Sequence, residues 1–190
     1  MIKMMYIIAG CNGAGKTTAS LTVLPEMLDC TEFVNADEIA KGLNPLHPES
    51  ATFKSGRLLI QRIDELIAQK ATFAVESTIS GVVLRNKIIE AKNQGYIIML
   101  LYFWLQSIHL AKQRVKARVQ EGGHSVDDDV IERRYVRGVK NLFEVFLPIV
   151  DVAMLFDNSE LKSDLIAEKT NKSELLILNE TKYNKLISLL

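Results

Sequence analysis

"IAGCNGAGKTT", residues 8–18, packs three glycines, a lysine and two threonines directly behind the apolar run "MMYIIAG" at 4–10. A run of that kind reads as a buried strand, and Lys16 to Leu28 reads as the helix that follows it. Between them, Gly10, Gly15, Lys16 and Thr17 fit the spacing G-x-x-x-x-G-K-S/T. The glycines let the backbone curl so that successive N–H groups face an anion, and the helix N-terminus adds its positive end. Gly10, Asn12, Gly13, Ala14, Gly15, Lys16, Thr17 and Thr18 are therefore the expected nucleotide-binding residues. Lys16 would reach the β- and γ-phosphates, and the Thr17 hydroxyl would hold Mg²⁺. A glycine-rich turn with a solvated lysine is the competing reading, and the strand-to-helix setting argues against it.

Outward from this loop, short apolar runs alternate with longer amphipathic ones. "TEFVNAD" (31–37), "ATFAVEST" (71–78), "YIIMLLYFWL" (96–105) and "VDVAMLFDNS" (150–159) complete a set of five expected strands. Helical spacing occupies 49–70, with Leu58, Leu59, Ile63, Leu66 and Ile67 on one face, and also 81–93 and 107–120. After the "EGGH" break, Ser125 with Asp128 three residues on resembles a capping box opening a helix to about Phe146. The C-terminal part holds the short run "LLIL" (175–178) and a terminal helix. Alternation of this kind predicts an α/β protein with a mainly parallel five-stranded sheet and helices on both faces. Ligands of such sheets bind where strands end and helices begin. With neither repeats nor a Pro- or Gly-rich linker, residues 1–190 read as a single domain.

A nucleotide site needs a group that activates an acceptor. Asp37 closes "FVNAD" and Glu76 closes "FAVE", each where its strand should emerge beside the loop. A carboxylate there can take a hydroxyl proton or organise Mg²⁺ and its waters. For Asp37 the competing reading is a cap on the helix beginning at Glu38. The second half supplies Arg114, Arg118, Arg133, Arg134 and Arg137 on two helices joined at Gly122-Gly123. These helices, about 107–147, resemble a lid whose cations meet the transferring phosphoryl group; a solvated helix face is the alternative. Cys11 reads as a small loop residue or an oxidisable thiol, His124 as a hinge or hydrogen-bonding residue, and Trp104 as core or pocket wall.

The blocks "GCNGAGKTT", "FVNADEIA", "GLNPLHPE", "SGRLL", "FAVESTISG", "RVKARVQEGGHSV", "IERRYVRGVKNL" and "DNS" together resemble the zeta-toxin-like P-loop kinases. Within that family they are closest to the short bacterial branch described as predicted ABC-type ATPases. The resemblance spans residues 5–159 and implies a P-loop NTPase fold of kinase type with a helical lid. It implies that Asp37 is the general base, that Glu76 lies near metal and substrate, and that Arg118 and Arg134 contact the phosphates. Ser77, Thr78 and Arg57 fall in its substrate-side blocks. Characterised zeta toxins phosphorylate a hydroxyl of UDP-N-acetylglucosamine or related UDP-amino sugars, and many pair with an antitoxin, so both are implied partners. Asp127 departs from the branch's usual proline. The longer C-terminal part of the large toxins is absent, leaving about 160–190 as an extension without a role. No "LSGGQ" signature supports the ABC label.

Composition sets limits on this reading. Lys plus Arg and Asp plus Glu are both 23, so the formal charge is zero and no global field favours nucleic acid or membrane. The longest apolar run, Tyr96 to Leu105, is too short to cross a bilayer, and the N-terminus has no export pattern, which points to the cytoplasm. Two cysteines and three scattered histidines suit neither a disulfide framework nor a metal cage. The expected activity is ATP- or GTP-dependent, Mg²⁺-requiring transfer of the γ-phosphate to a hydroxyl of a small molecule. A nucleotide-dependent switch and a simple NTPase are the alternatives.

Overall fold

A computed structural model describes residues 2–123, 125–170 and 173–190. The reading of His124 as a hinge lies outside the described residues. Strand β1 (Met4–Gly10) is the centre of the sheet, and from Met5 to Gly10 it is buried throughout. It pairs in parallel with β3 (Phe73–Ser77) on one side and β4 (Ile97–Trp104) on the other. β2 (Phe33–Asn35) lies outside β3 and β5 (Val152–Asp157) outside β4, all parallel. The order β2-β3-β1-β4-β5 reverses direction at β1, which puts the topological switch point at the end of the strand that feeds the phosphate loop.

The sheet continues past the five expected strands. β6 (Asp164–Lys169) runs antiparallel to β5, and β7 (Leu176–Ile177) antiparallel to β6. β6 carries the three-residue apolar run Leu165 to Ala167, of which Ile166 and Ala167 are buried, between polar ends in "DLIAEK", too short a signal to register as a strand. "LLIL" supplies the exposed two-residue β7, and α7 (Glu180–Ile187) is the expected terminal helix.

Helices α1 (Lys16–Met27), α2 (Ala36–Leu43), α3 (Thr52–Ala68), α4 (Val83–Asn93), α5 (Ile108–Gln120) and α6 (Asp128–Asn141) connect the strands. A 3₁₀ turn, Pro48–Ala51, leads into α3. Two boundaries differ from the sequence reading. β2 stops at Asn35, whose side chain caps α2 by accepting from Asp37 N and Glu38 N; Asp37 is therefore in the first helical turn, neither strand end nor cap. The expected Ser125 capping box is also absent, because α6 starts at Asp128 behind an extended Asp127. Asp128 and Asp129 complement the helix dipole there, and Lys112 and Lys116 lie 3.9 and 3.8 Å from Asp128. Helical geometry then reaches Phe146 through a π turn, Leu142–Phe146.

α6 is fastened to the sheet by apolar residues and one polar chain. Ile131, Tyr135 and Val139 are buried. Trp104 Nε1 donates to the Tyr135 hydroxyl at 3.0 Å, which donates to the Leu105 carbonyl at 2.6 Å. Trp104 is thus core rather than a pocket wall. Among the described residues no helix is long and apolar enough to cross a membrane.

Candidate active site

The loop between β1 and α1 takes the conformation its glycines permit, with Gly13 and Gly15 at φ 78° and 80°. A side chain at Gly13 would meet the Ala111 carbonyl and one at Gly15 the Asn158 amide, so the loop is pressed against neighbouring segments. Lys16 is buried; its Nζ donates to the Cys11 carbonyl at 2.9 Å and lies 3.8 Å from Glu76 Oε1. Thr17 Oγ1 donates to Glu76 Oε2 at 2.8 Å. Thr18 is on the exposed side of the same helical turn. Cys11 is buried, and burial pushes its thiol up to about 11, against the pull of Lys16. That environment gives an inert thiol, not an oxidisable one.

Glu76 is where the elements meet. Its register opposite Ile8 on one side and Asn35 on the other places the carboxylate beside the phosphate loop. Oε2 accepts from Thr17 and, at 2.9 Å, from Asn35 Nδ2. Burial raises the Glu76 carboxyl above its ordinary value; Lys16, Thr17 and Arg118 oppose that, and the charge of Asp37 adds to it. Asn35 is a residue the sequence reading left unassigned. Its Oδ1 holds the Asp37 backbone N–H at 2.8 Å while its Nδ2 holds Glu76, so one buried amide joins the Asp37 backbone to the Glu76 carboxylate. An Asn between an apolar strand and an acidic pair is an N-cap signal, and the link to Glu76 needed the register of β2 against β3.

A cavity of about 1080 Å³ opens from this cluster. Asn12, Lys16, Asn35, Asp37, Glu76 and Arg134 form its polar end. Ser77, Thr78 and Arg57 also line it, with Phe53, Ile60 and Val83 supplying apolar wall. Arg57 stacks over the Phe53 ring at 4.7 Å. Ser77 Oγ accepts from Ile79 N at 3.0 Å and Thr78 shares a hydrogen bond with Ser80 at 2.9 Å, which orders the loop after β3.

The arginines separate by position. Arg134 reaches the loop, its Nη1 donating to Asn12 Oδ1 at 3.4 Å. Arg118 is half-buried on α5 and its charge acts on Glu76. Arg133 and Arg137 are on the exposed side of α6 and do not line the cavity. Arg114 has a different task, donating to the Asn158 and Ser159 carbonyls at 2.8 Å each. Asn158 Nδ2 in turn donates to the Ala14 carbonyl of the phosphate loop at 2.7 Å. These residues belong to the quoted "DNS" block, but only the fold shows that they touch the loop.

The donor set fits a nucleotide with Mg²⁺. The glycine curve and the α1 N-terminus suit phosphate, and the adjoining Thr17 hydroxyl and Glu76 carboxylate are hard oxygen donors of the kind Mg²⁺ takes alongside water and phosphate.

Comparisons with known proteins bear on the family and the fold. The family profile described as AAA domain matches residues 5–136. An uncharacterized protein of Haemophilus influenzae strain Rd is 33% identical over 127 residues, covering 66% of this chain and 88% of that protein. The crystal structure of AvrRxo1-ORF1:AvrRxo1-ORF2 with sulphate ions aligns with TM-score 0.82 and 18% identity, covering 99% of this chain. The same pair with ATP gives 0.80 and 19%, again over 99% of this chain. In both cases this chain spans only 64% of the matched one. The PezAT toxin–antitoxin system of Streptococcus pneumoniae aligns with TM-score 0.64 and 18% identity, over 85% of this chain and 72% of that one. With its phosphate loop inside the matched region and its sheet in this order, the chain belongs to the AAA domain family and has a P-loop kinase fold.

Proposed function

We propose that the protein is a phosphotransferase that moves the γ-phosphate of ATP or GTP to a hydroxyl of a small molecule. The observation that carries this reading is that Lys16 of the phosphate loop, Asp37, Glu76 and Arg134 all face one cavity large enough for an acceptor. Asp37 takes the proton as the acceptor oxygen bonds to phosphorus and the bond to the β–γ bridging oxygen breaks. Lys16, Arg118 and Arg134 face the charge that spreads over the transferring group. Thr17 and Glu76 would hold Mg²⁺, which when bound neutralises phosphate charge. Of the expected lid, about 107–147, most is fixed: Ala111 and Val115 of α5 and Ile131, Tyr135 and Val139 of α6 are buried, so any closing movement centres on the turn at Gly122 and Gly123.

A UDP-amino sugar is the leading acceptor, supported by the family resemblance and by a cavity that combines Arg57, Ser77 and Thr78 with apolar wall. An antitoxin-like protein partner is proposed on the likeness to the PezAT system. The reaction is placed in the cytoplasm, and residues 1–190 are read as one kinase domain.

The test is to incubate the protein with Mg-ATP or Mg-GTP and a panel of UDP-sugars, nucleosides and aminoglycosides, and to find by mass spectrometry the acceptor that gains one phosphate. Lys16→Ala and Asp37→Asn should both be silent, the latter while still binding nucleotide. If no acceptor is modified and Asp37→Asn matches the wild type in every nucleotide assay, the base assignment fails and a nucleotide-driven switch takes its place.

A further inference from the structure

The family profile ends at residue 136, yet the phosphate loop is held from beyond it. Asn158 Nδ2 donates to the Ala14 carbonyl, and Arg114 donates to the Asn158 and Ser159 carbonyls. The neighbouring Asp157 is 1% exposed. Its carboxylate accepts from Ser159 N at 3.0 Å, Ser159 Oγ at 2.5 Å, Gln106 Nε2 at 2.8 Å and Lys182 Nζ at 2.9 Å. Burial pushes the Asp157 carboxyl up, but those donors outweigh it and hold it below its ordinary value.

Lys182 belongs to α7, which reaches the same place by a second link, Lys185 Nζ to Gln106 Oε1 at 2.9 Å. α7 is itself seated by the buried Leu186 and by Tyr183 edge-on to Phe143 at 6.1 Å. The Asn179 side chain caps it, accepting from Lys182 N at 3.1 Å. A buried carboxylate deprived of its cation must find water or move. Any such movement of Asp157 displaces the adjoining Asn158 and with it the Ala14 carbonyl.

We propose that the C-terminal segment is a bracket for the phosphate loop, in which Lys182 is a positioning residue acting through Asp157 and Asn158 on nucleotide binding. The proposal rests on the reading of residues 10–18 as a nucleotide site. It assigns a task to the part of the chain for which sequence reasoning found none.

The full chain is titrated with a fluorescent ATP analogue in the presence of Mg²⁺, and exchange of the backbone amides of residues 10–17 is followed without nucleotide. Lys182→Met weakens binding by about tenfold, the scale of one charge-assisted hydrogen bond. It also speeds exchange in the loop at a temperature where the protein is fully folded. Lys182→Met with Asp157→Asn removes the unpaired charge and recovers most of both. Unchanged affinity and exchange in Lys182→Met overturn the bracket even if melting falls, and so does a loss that Asp157→Asn fails to recover. If the wild type binds no nucleotide, the nucleotide reading fails. Faster loop exchange in Lys182→Met then still supports the mechanical link, and unchanged exchange refutes it. Should Lys182→Met not fold, Lys182→Gln, which also removes the charge opposite Asp157, takes its place: unchanged loop exchange refutes the link, and faster exchange supports it.

Discussion

Replacing Asn35 with alanine breaks two connections at once, and their sizes can be separated. Asn35 Oδ1 caps α2 through Asp37 N at 2.8 Å and Glu38 N at 3.4 Å, and removing a cap costs about 1 kcal/mol. Asn35 Nδ2 donates to the buried Glu76 carboxylate at 2.9 Å, a bond to a charged group worth about 1.5–3 kcal/mol. The two sum to about 2.5–4 kcal/mol, or roughly 5–16 °C in melting temperature for a domain of this size. Asn35→Ser keeps the capping oxygen and loses only the donor to Glu76, so it should fall short of the alanine loss by about the cap. In a Glu76→Gln background the loss at Asn35 should shrink by about 1 kcal/mol or more, because the two side chains touch. Calorimetry of the four-member cycle, with Asn35→Ser alongside, measures each part. Equal destabilisation by serine and alanine, together with additivity in the cycle, would refute the claim that this amide ties the α2 start to Glu76.

The raised Glu76 carboxyl predicts a pH trend. The folded form keeps a proton that the unfolded chain releases near 4.5, so wild-type stability relative to Glu76→Gln should fall as pH rises from there through the higher folded value. Urea titrations across that range would show it, and a relative rise would be the wrong sign. Tyr135→Phe strands the buried Trp104 Nε1 donor and Leu105 carbonyl, and denaturant unfolding should report a loss of about 2–4 kcal/mol. Cys11, with its thiol pushed up to about 11, should resist thiol reagents at pH 8 in the folded protein and react only at the rate of unfolding. Rapid labelling under native conditions would contradict its burial.

The parts of the fold written as periodicity were legible before any coordinates. β1 and β4 are continuous apolar runs because they lie inside the sheet with both faces largely covered, β5 is legible as the apolar run beside them although one of its faces is only half-buried, and the phosphate loop follows directly from glycine and lysine spacing. β6 escaped because its buried pair is too short to set a period, and the start of α6 because Ser125 imitates a capping box that the extended Asp127 precludes. Asp37 was placed near the loop, but its helical position depends on Asn35 acting as the cap. Of the arginines, sequence could group five basic residues without saying which face each would take. Only the packing of α5 and α6 separates Arg134 on the cavity from Arg114 behind the loop and from the exposed Arg133 and Arg137.

What sequence could not supply at all are the amides that join segments far apart in the chain. Asn35 and Asn158 are neutral, small and unremarkable by composition, yet each bonds across an element boundary to the region of the phosphate loop. Their neutrality has a physical reason. The polar end of the cavity already holds Asp37, Glu76, Lys16 and Arg134, so another charge in those joints would shift the titration of its neighbours. An amide can donate to Glu76 and accept from a helix N-terminus at once, which neither a carboxylate nor an ammonium can do. Asn35→Asp illustrates the point: it keeps the capping oxygen but sets a second carboxylate against Glu76 Oε2, 2.9 Å from the present donor atom. Two carboxylates at that range share a proton, so on folding the variant should take up more protons than wild type as pH falls from neutral toward the carboxylate range. Potentiometric titration of folded and unfolded protein reads that number directly, and equal proton uptake in the two proteins would mean that the Asn35–Glu76 bond does not persist in solution.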